Sequence, residues 1–223
     1  KYLKARAALI APDKAGPAPG PGNPKGAGVR APDATAEPGG TTHLVIVDAD
    51  GNAVSMTTTV ESIFGTGRMV DGFFLNNQLT DFSFAPKDKD GAPMANAVAG
   101  GKRPRSSMAP AIVLDKKKQL VALVGSPGGS NILAYNLKAL VGVIDWKLSM
   151  QEAIMLPNLI ARGDNYASEA NGWAPGVLDG LAAKGVKISP VGGEGSGLHG
   201  ILVTPQGLTG GADPRREGVA RQP

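Results

Sequence analysis

The stretch "TTHLVIVDADGNAVSMTTT", residues 41–59, constrains the fold more than any other part of the chain. "HLVIVD" and "AVSMTTT" are short runs rich in the β-formers Val, Ile and Thr, and "DADGN" lies between them. Such runs predict strands, and an Asp/Gly/Asn cluster between two of them predicts a hairpin. With Val47 opposite Ala53 across the five-residue loop, the pairing runs out to Thr41 opposite Thr59. Directly opposed residues hold their Cβ atoms about 4.5–5.5 Å apart, so two hydroxyls meet at the open end of the hairpin. The loop is not a calcium site: Gly51 comes too early, and the twelfth position from Asp48 is Thr59 where a glutamate is required.

Upstream, residues 11–40 are crowded with Pro and Gly and lack any periodic apolar pattern. Such a segment buries too little surface to offset its ordering entropy, so a linker or disordered stretch is expected. "KYLKARAAL" before it reads as the end of a helix whose partners are elsewhere. Downstream, "PAIVLD" and "QLVALVG" predict a second hairpin around the turn Lys116-Lys117-Lys118. Helices are predicted in "GGSNILAYNLKALVGVIDW", "SMQEAIMLP" and "APGVLDGLAAKG", the last stopped by Gly185, with strands near "VKISPV" and "GILVTP". Strand pairs followed by helices, with no regular βαβ alternation, indicate an α+β layered domain.

Composition removes several kinds of chemistry. The absence of cysteine excludes disulfides, thiolate metal sites and thiol nucleophiles from this chain. His43 and His199 are the only histidines, too little material for a Ser-His-Asp hydrolase or a His-rich metal centre, so no metal and no cofactor is expected. The net charge of +4 accompanies only 4% aromatics, and the main basic run, Lys116-Lys117-Lys118, sits in "DKKKQ" between two apolar strands, which argues for a solvated turn and against nucleic-acid binding. No run approaches the ~18–20 apolar residues of a membrane span. The start at Lys1 carries no signal pattern, and a chain that begins without Met reads as a piece of a longer one.

Four stretches carry candidate chemistry. Thr41 follows Gly39-Gly40, and two readings of that junction stand: a linker running into a strand, or a cleavage point. A threonine hydroxyl needs an adjacent base, and a freed α-amine of reference pKa about 8 supplies one from the same residue. Glycines before it tolerate strained backbone that exposes the Gly40 carbonyl. "GSPGGS", residues 125–130, joins a buried strand to a helix. Its successive N–H groups suit either a tight turn or an oxyanion hole, where one donor is worth roughly 3–4 kcal/mol; the P-loop Lys is missing. In "KRPRSSMAP", Ser106 and Ser107 lie beside cations, suiting a carboxylate or local turn bonds. In "LNNQLTDFS", Gln78 and Asp81 sit among amides, suiting an ammonium or internal loop bonding.

In this order the segments "TTHLVIVDADGNAVSMTTT", "FGTG", "LNNQLTDFS", "KRPRSSMAPAIV", "GSPGGS" and "GGADPRREG" resemble the small subunit of the gamma-glutamyltransferase (gamma-glutamyltranspeptidase, glutathione hydrolase) family of N-terminal-nucleophile hydrolases. The resemblance implies the four-layer αββα sandwich, of which this chain contributes a part. Residues 1–40 would be the large-subunit tail and pre-cleavage linker, and residues 41–223 the catalytic small subunit. Thr41 would be the nucleophile exposed by autoproteolysis, Thr59 its hydrogen-bonding partner, and Gly128 and Gly129 the oxyanion-hole pair. Ser106 and Ser107 would bind the α-carboxylate, and Gln78 and Asp81 the α-amine, of a γ-glutamyl substrate such as glutathione. A large subunit from the same precursor, and a periplasmic or extracellular location, are implied by the resemblance alone.

This chain departs from the family pattern in two places. Glu61 stands where many members carry Asn, so a carboxylate joins the amine-binding side or shifts the acyl preference. The segment from Asp81 to Ser106 is shorter than a full lid and lacks tyrosine, which favours bulky acceptors or water. The family's carboxylate-binding arginine belongs to the large subunit, and neither Arg103 nor Arg105 is given that role. Two rival expectations remain: a glutaryl or cephalosporin-type acylase on the same fold, and an uncleaved, inactive relative acting as a binding partner.

Overall fold

The computed structural model describes residues 1–33, 40–191 and 195–222. In chain order the elements are α1 (Tyr2–Ala7), β1 (Thr41–Val47), β2 (Ala53–Thr59), β3 (Met69–Val70), β4 (Phe73–Phe74), β5 (Ala111–Leu114), β6 (Leu120–Gly125), α2 (Ile132–Ile144), α3 (Met150–Met155), β7 (Leu159–Arg162), β8 (Asn165–Glu169), α4 (Val177–Ala183), β9 (Ile188–Val191), β10 (His199–Thr204) and β11 (Gly207–Ala212). They form two compact units, one of Lys1–Val29 with Leu156–Glu194, the other of Arg30–Met155 with Gly195–Pro223.

In the larger unit, β11, β10, β6 and β5 form an antiparallel sheet in that order. Its centre is buried on both faces, since Ala122, Leu123, Val124 and Gly125 of β6 are all inaccessible. A strand covered on both sides reads as a continuous apolar run, which is what "LVALVG" is. Three glycines mark how closely the layers approach. A Cβ on Gly125 would strike the His43 ring on β1, whereas one on Gly200 would strike Met150 of α3, and one on Gly211 would lie 2.9 Å from Ile154. The hairpin β1–β2 therefore covers one face and the helix pair α2–α3 the other. The helices themselves meet where Gly142 faces Ala153, at 2.7 Å from an ideal Cβ. Ile132, Tyr135, Ala139, Met150, Ala153 and Ile154 are buried in that layer.

The first hairpin has the expected register at every pair, from Val47 opposite Ala53 to Thr41 opposite Thr59. The lysine turn is exposed, with the Asp115 carboxylate accepting from the Lys117 and Gln119 N–H groups at 2.7 and 2.8 Å. The smaller unit pairs β7 with β8 antiparallel and β8 with β9 parallel. Helix α4 connects those parallel strands and ends at Gly185, whose φ of +84° closes the last turn as expected.

Over the described part of residues 11–40 no helix or strand forms, and hydrogen bonds tie the backbone to other segments at several points. Ala15 N–H donates to Lys184 O at 2.6 Å and Ala18 N–H to an Asp164 oxygen at 2.7 Å. In the larger unit Ala31 is buried and bridges Met94, while Asp33 pairs with Arg105 at 2.9 Å. Hydrogen bonds to other segments substitute for the core this composition cannot build. The remainder of that linker, including Gly39, lies outside the described residues.

Candidate active site

The open end of the β1–β2 hairpin is one wall of a cleft. Thr41 donates from Oγ1 to Thr59 Oγ1 at 3.1 Å, and Thr59 Oγ1 donates onward to Gly40 O at 3.1 Å. The Glu61 N–H donates to Thr59 Oγ1 at 2.8 Å, which fixes the direction of that relay. The hydroxyl of Thr41 is thus held beside the carbonyl of the residue before it, and that carbonyl is already polarised by Thr59.

Gly40 is required here by space. Its φ is not positive, but a Cβ at that position would collide with the Glu61 and Ser62 carbonyls. The sequence-based reason, tolerance of a strained backbone conformation, is replaced by close approach. The strain lies instead at Glu61, a buried non-glycine residue at φ +73°. Such a conformation costs of order 1–3 kcal/mol and persists only where the surroundings impose it. It aims the N–H at Thr59 while the side chain lines the cleft.

The second wall is the turn Gln78–Asp81. Gln78 Nε2 donates to Asp81 Oδ2, and the Asp81 carboxylate is buried. Asn77 staples this turn to the first wall, accepting from Ser62 N–H at 2.9 Å and donating to Ser62 Oγ at 3.0 Å. Ser106 and Ser107 line a third side, with Ser106 Oγ accepting from Met108 N–H at 3.2 Å. The floor is the turn from β6 into α2. Gly128 has φ +131° and Gly129 φ +54°, and a Cβ on Gly128 would strike the Tyr135 ring, so both positions demand glycine.

One cleft therefore gathers Thr41, Thr59, Glu61, Gln78, Asp81, Ser106, Ser107 and Gly129. Gly128 stands one residue back, against Tyr135. Arg105 turns to Asp33 and Arg103 is exposed. Sequence reasoning missed Arg216, whose guanidinium donates to Thr41 O at 3.3 Å. It is delivered by the segment after β11, which is pinned by buried Asp213: Ser196 Oγ donates to that carboxylate at 2.7 Å, Leu198 N–H at 3.2 Å and Arg215 at 3.0 Å. Burial alone would raise the Asp213 carboxyl, but these donors outweigh it and hold the pKa below the usual carboxylate value.

Neither histidine lines the cleft. His43 points into the core from the same face of β1 as Thr41, and its Nδ1 bonds Thr57 Oγ1 at 2.8 Å. Burial, reinforced by nearby His199, lowers its pKa to about 4, so it is neutral at neutral pH. Among the described residues no group of three His, Asp or Glu side chains could hold a metal, and no helix is long and apolar enough to cross a membrane.

A family model described as Gamma-glutamyltranspeptidase matches residues 1–222. The glutathione hydrolase proenzyme of Escherichia coli (strain K12) is 42% identical over 189 residues, which cover 78% of this chain and 31% of that protein. The chain thus spans about a third of the length of the curated relatives it matches. The crystal structure of an acivicin-inhibited gamma-glutamyltranspeptidase superposes with a TM-score of 0.68 at 35% identity, over 79% of this chain and 100% of that one. That of cephalosporin acylase from Bacillus halodurans superposes with a TM-score of 0.77 at 25% identity, over 98% of this chain and 37% of that one. The α+β layers described above therefore have the N-terminal-nucleophile hydrolase fold.

Proposed function

The chain belongs to the gamma-glutamyltranspeptidase family, and from that premise we propose that it carries the catalytic half of a γ-glutamyl hydrolase/transferase, matured by cleavage between Gly40 and Thr41. The observation that carries this reading is the relay from Thr41 Oγ1 through Thr59 Oγ1 to Gly40 O. In maturation, Thr41 Oγ attacks the Gly40 carbonyl carbon while Thr59 donates to the carbonyl oxygen. The Thr41 hydroxyl proton passes to the Thr41 nitrogen as the C–N bond breaks and the acyl group moves to oxygen, and water hydrolyses the ester to a Gly40 carboxylate and a Thr41 amine.

In turnover the freed amine takes the proton from Thr41 Oγ, which attacks the γ-carbonyl of the donor. The Gly128-Gly129 turn supplies N–H donors for the oxyanion. The amine then returns the proton to the departing amine, leaving a γ-glutamyl ester on Thr41 for water or an acceptor amine to resolve. Glu61 and Asp81, with Gln78, suit the α-ammonium, and the Ser106 and Ser107 hydroxyls suit the α-carboxylate. Glutathione has these groups. The short segment between Asp81 and Ser106 favours water or a bulky acceptor.

A large subunit from the same precursor completes the assembly. Two features of the hairpin support such a cover: its outward-facing Ile46, Val54 and Met56 are exposed, and among the described residues it pairs with no third strand. With that subunit the three layers seen here become the αββα sandwich. Intact-mass analysis tests the reading: a product beginning at Thr41 is expected, with none in Thr41→Ala, together with release of p-nitroaniline from its γ-glutamyl anilide. Cleavage or turnover persisting in Thr41→Ala refutes the assignment.

The likeness to a cephalosporin acylase supports a second reading, an acylase acting on glutaryl-type side chains. Two carboxylates lining the cleft weigh against it, because a glutaryl group offers them no ammonium. Comparing γ-glutamyl with glutaryl anilides separates the two.

A further inference from the structure

We propose that Asn96, which does not line the cleft, is a positioning residue that sets the distance between its ammonium-binding and carboxylate-binding walls, and so its preference for an α-amino acid as acyl donor. The inference rests on the γ-glutamyl reading of the site. Asn96 is buried, and its side chain bridges two backbone segments. Nδ2 donates to Asp81 O, at the end of the turn that carries Gln78 and Asp81. Oδ1 accepts from Arg105 N–H at 3.1 Å, immediately before Ser106. The backbone carbonyl of Asn96 accepts from Ser83 N–H at 3.0 Å, which holds its own segment against the same wall.

The chemistry of the two ends decides which side chain can make this bridge. One is a carbonyl, able only to accept, and the other an N–H, able only to donate. Asn presents an NH2 donor and a carbonyl acceptor from a single planar amide, so it can meet both backbone groups at once. Asp has no donor at neutral pH, and Ala has neither group.

The ligand makes the distance matter. The ammonium and carboxylate of an α-amino acid hang from one carbon, so their binding groups must be registered together, and a displacement of about 1 Å costs about two orders of magnitude in a preorganised site. An acyl group without the ammonium uses only one wall and does not feel the spacing.

The test uses the mature protein assembled with its large subunit, as wild type, Asn96→Asp and Asn96→Ala, with the γ-glutamyl anilide as substrate and L-glutamate and glutarate as competing ligands. Asn96→Asp keeps the acceptor for Arg105 and loses the donor to Asp81. Its inhibition constant for L-glutamate is expected to rise about tenfold, with glutarate within about twofold and kcat within about threefold of wild type. In Asn96→Ala both inhibition constants rise. Equal weakening of the two ligands in Asn96→Asp, an unchanged L-glutamate constant, or failure of that isosteric variant to mature overturns the inference and leaves the γ-glutamyl reading standing. A wild type that does not cleave the anilide overturns both.

Discussion

Acid should loosen the hairpin that carries Thr41, and the cause is one imidazole. His43 lies between β1 and the sheet, facing Thr57 on β2, Gly125 on β6 and His199 on β10. Its folded pKa is about 4, whereas an exposed histidine titrates near 6.5. As pH falls below the unfolded value the unfolded chain takes up a proton that the folded chain refuses. Stability is therefore complete above about pH 6.5 and is lost as pH falls toward 4, where the loss levels off. Two and a half pH units correspond to about 3 kcal/mol, with about 2 kcal/mol already lost by pH 5. Urea unfolding followed by circular dichroism at pH 7, 5 and 4 measures the slope, and His43→Gln supplies the reference. Gln retains a polar group for Thr57 but cannot titrate, so stability of the variant should fall between pH 7 and 4 by about 3 kcal/mol less than that of wild type. Equal slopes in the two proteins would falsify the assignment of the acid response to His43.

Three further outcomes follow from the site. Thr59→Val removes the relay hydroxyl at nearly constant volume and should slow formation of a Thr41 N-terminus by about a hundredfold, read by mass spectrometry, with Thr59→Ser restoring it. Gly128→Ala meets both the φ of +131° and the Tyr135 ring; it should cost 1–3 kcal/mol in thermal unfolding and about a hundredfold in kcat. Asp213→Asn weakens a buried carboxylate bonded by Ser196, Leu198 and Arg215, and should lower stability by about 3 kcal/mol at pH 7. Because the Asp213 pKa is depressed, that difference should shrink as wild type is taken below about pH 4.

How much of this was legible in the sequence depended on the range of the interaction. The register of β1 and β2 follows from two runs of strand-forming residues and a turn of known length, both local, and it brought Thr41 to Thr59 without any outside comparison. The two-residue strands β3 and β4 are too short to show a period, and β11, "GLTGGA", is too rich in glycine to read as a strand. The hairpin of β7 and β8 did carry a signal, the pair Gly163-Asp164 between its strands, with Gly163 at φ +59°. Bonds spanning long stretches of chain were not legible. Arg216 reaches Thr41 across 175 residues, and nothing local distinguishes it from Arg215. Asn96 lies in a segment whose visible feature was its shortness.

Glu61 shows why the candidate chemistry and the fold are hard to separate. A glutamate at φ +73° is unfavourable by itself, and most side chains at that position would be relieved by relaxing the backbone. Relaxation is opposed from two directions. The Glu61 N–H is committed to Thr59 Oγ1, and the Glu61 carbonyl packs against Gly40 so closely that no Cβ fits between them. Turning the Glu61 backbone toward an ordinary φ would therefore withdraw the donor that orients Thr59, and with it the hydroxyl beside the Gly40 carbonyl. If the strain is held for that purpose, Glu61→Gly should be more stable than wild type or equal to it, because glycine occupies the conformation freely. The same variant should still orient Thr59 through its backbone N–H and still expose a Thr41 N-terminus, while losing the carboxylate proposed to meet the donor ammonium. Stability and cleavage retained with a weakened L-glutamate constant would separate the backbone role of this residue from its side-chain role. A variant that lost stability and cleavage together would show instead that the side chain holds the turn.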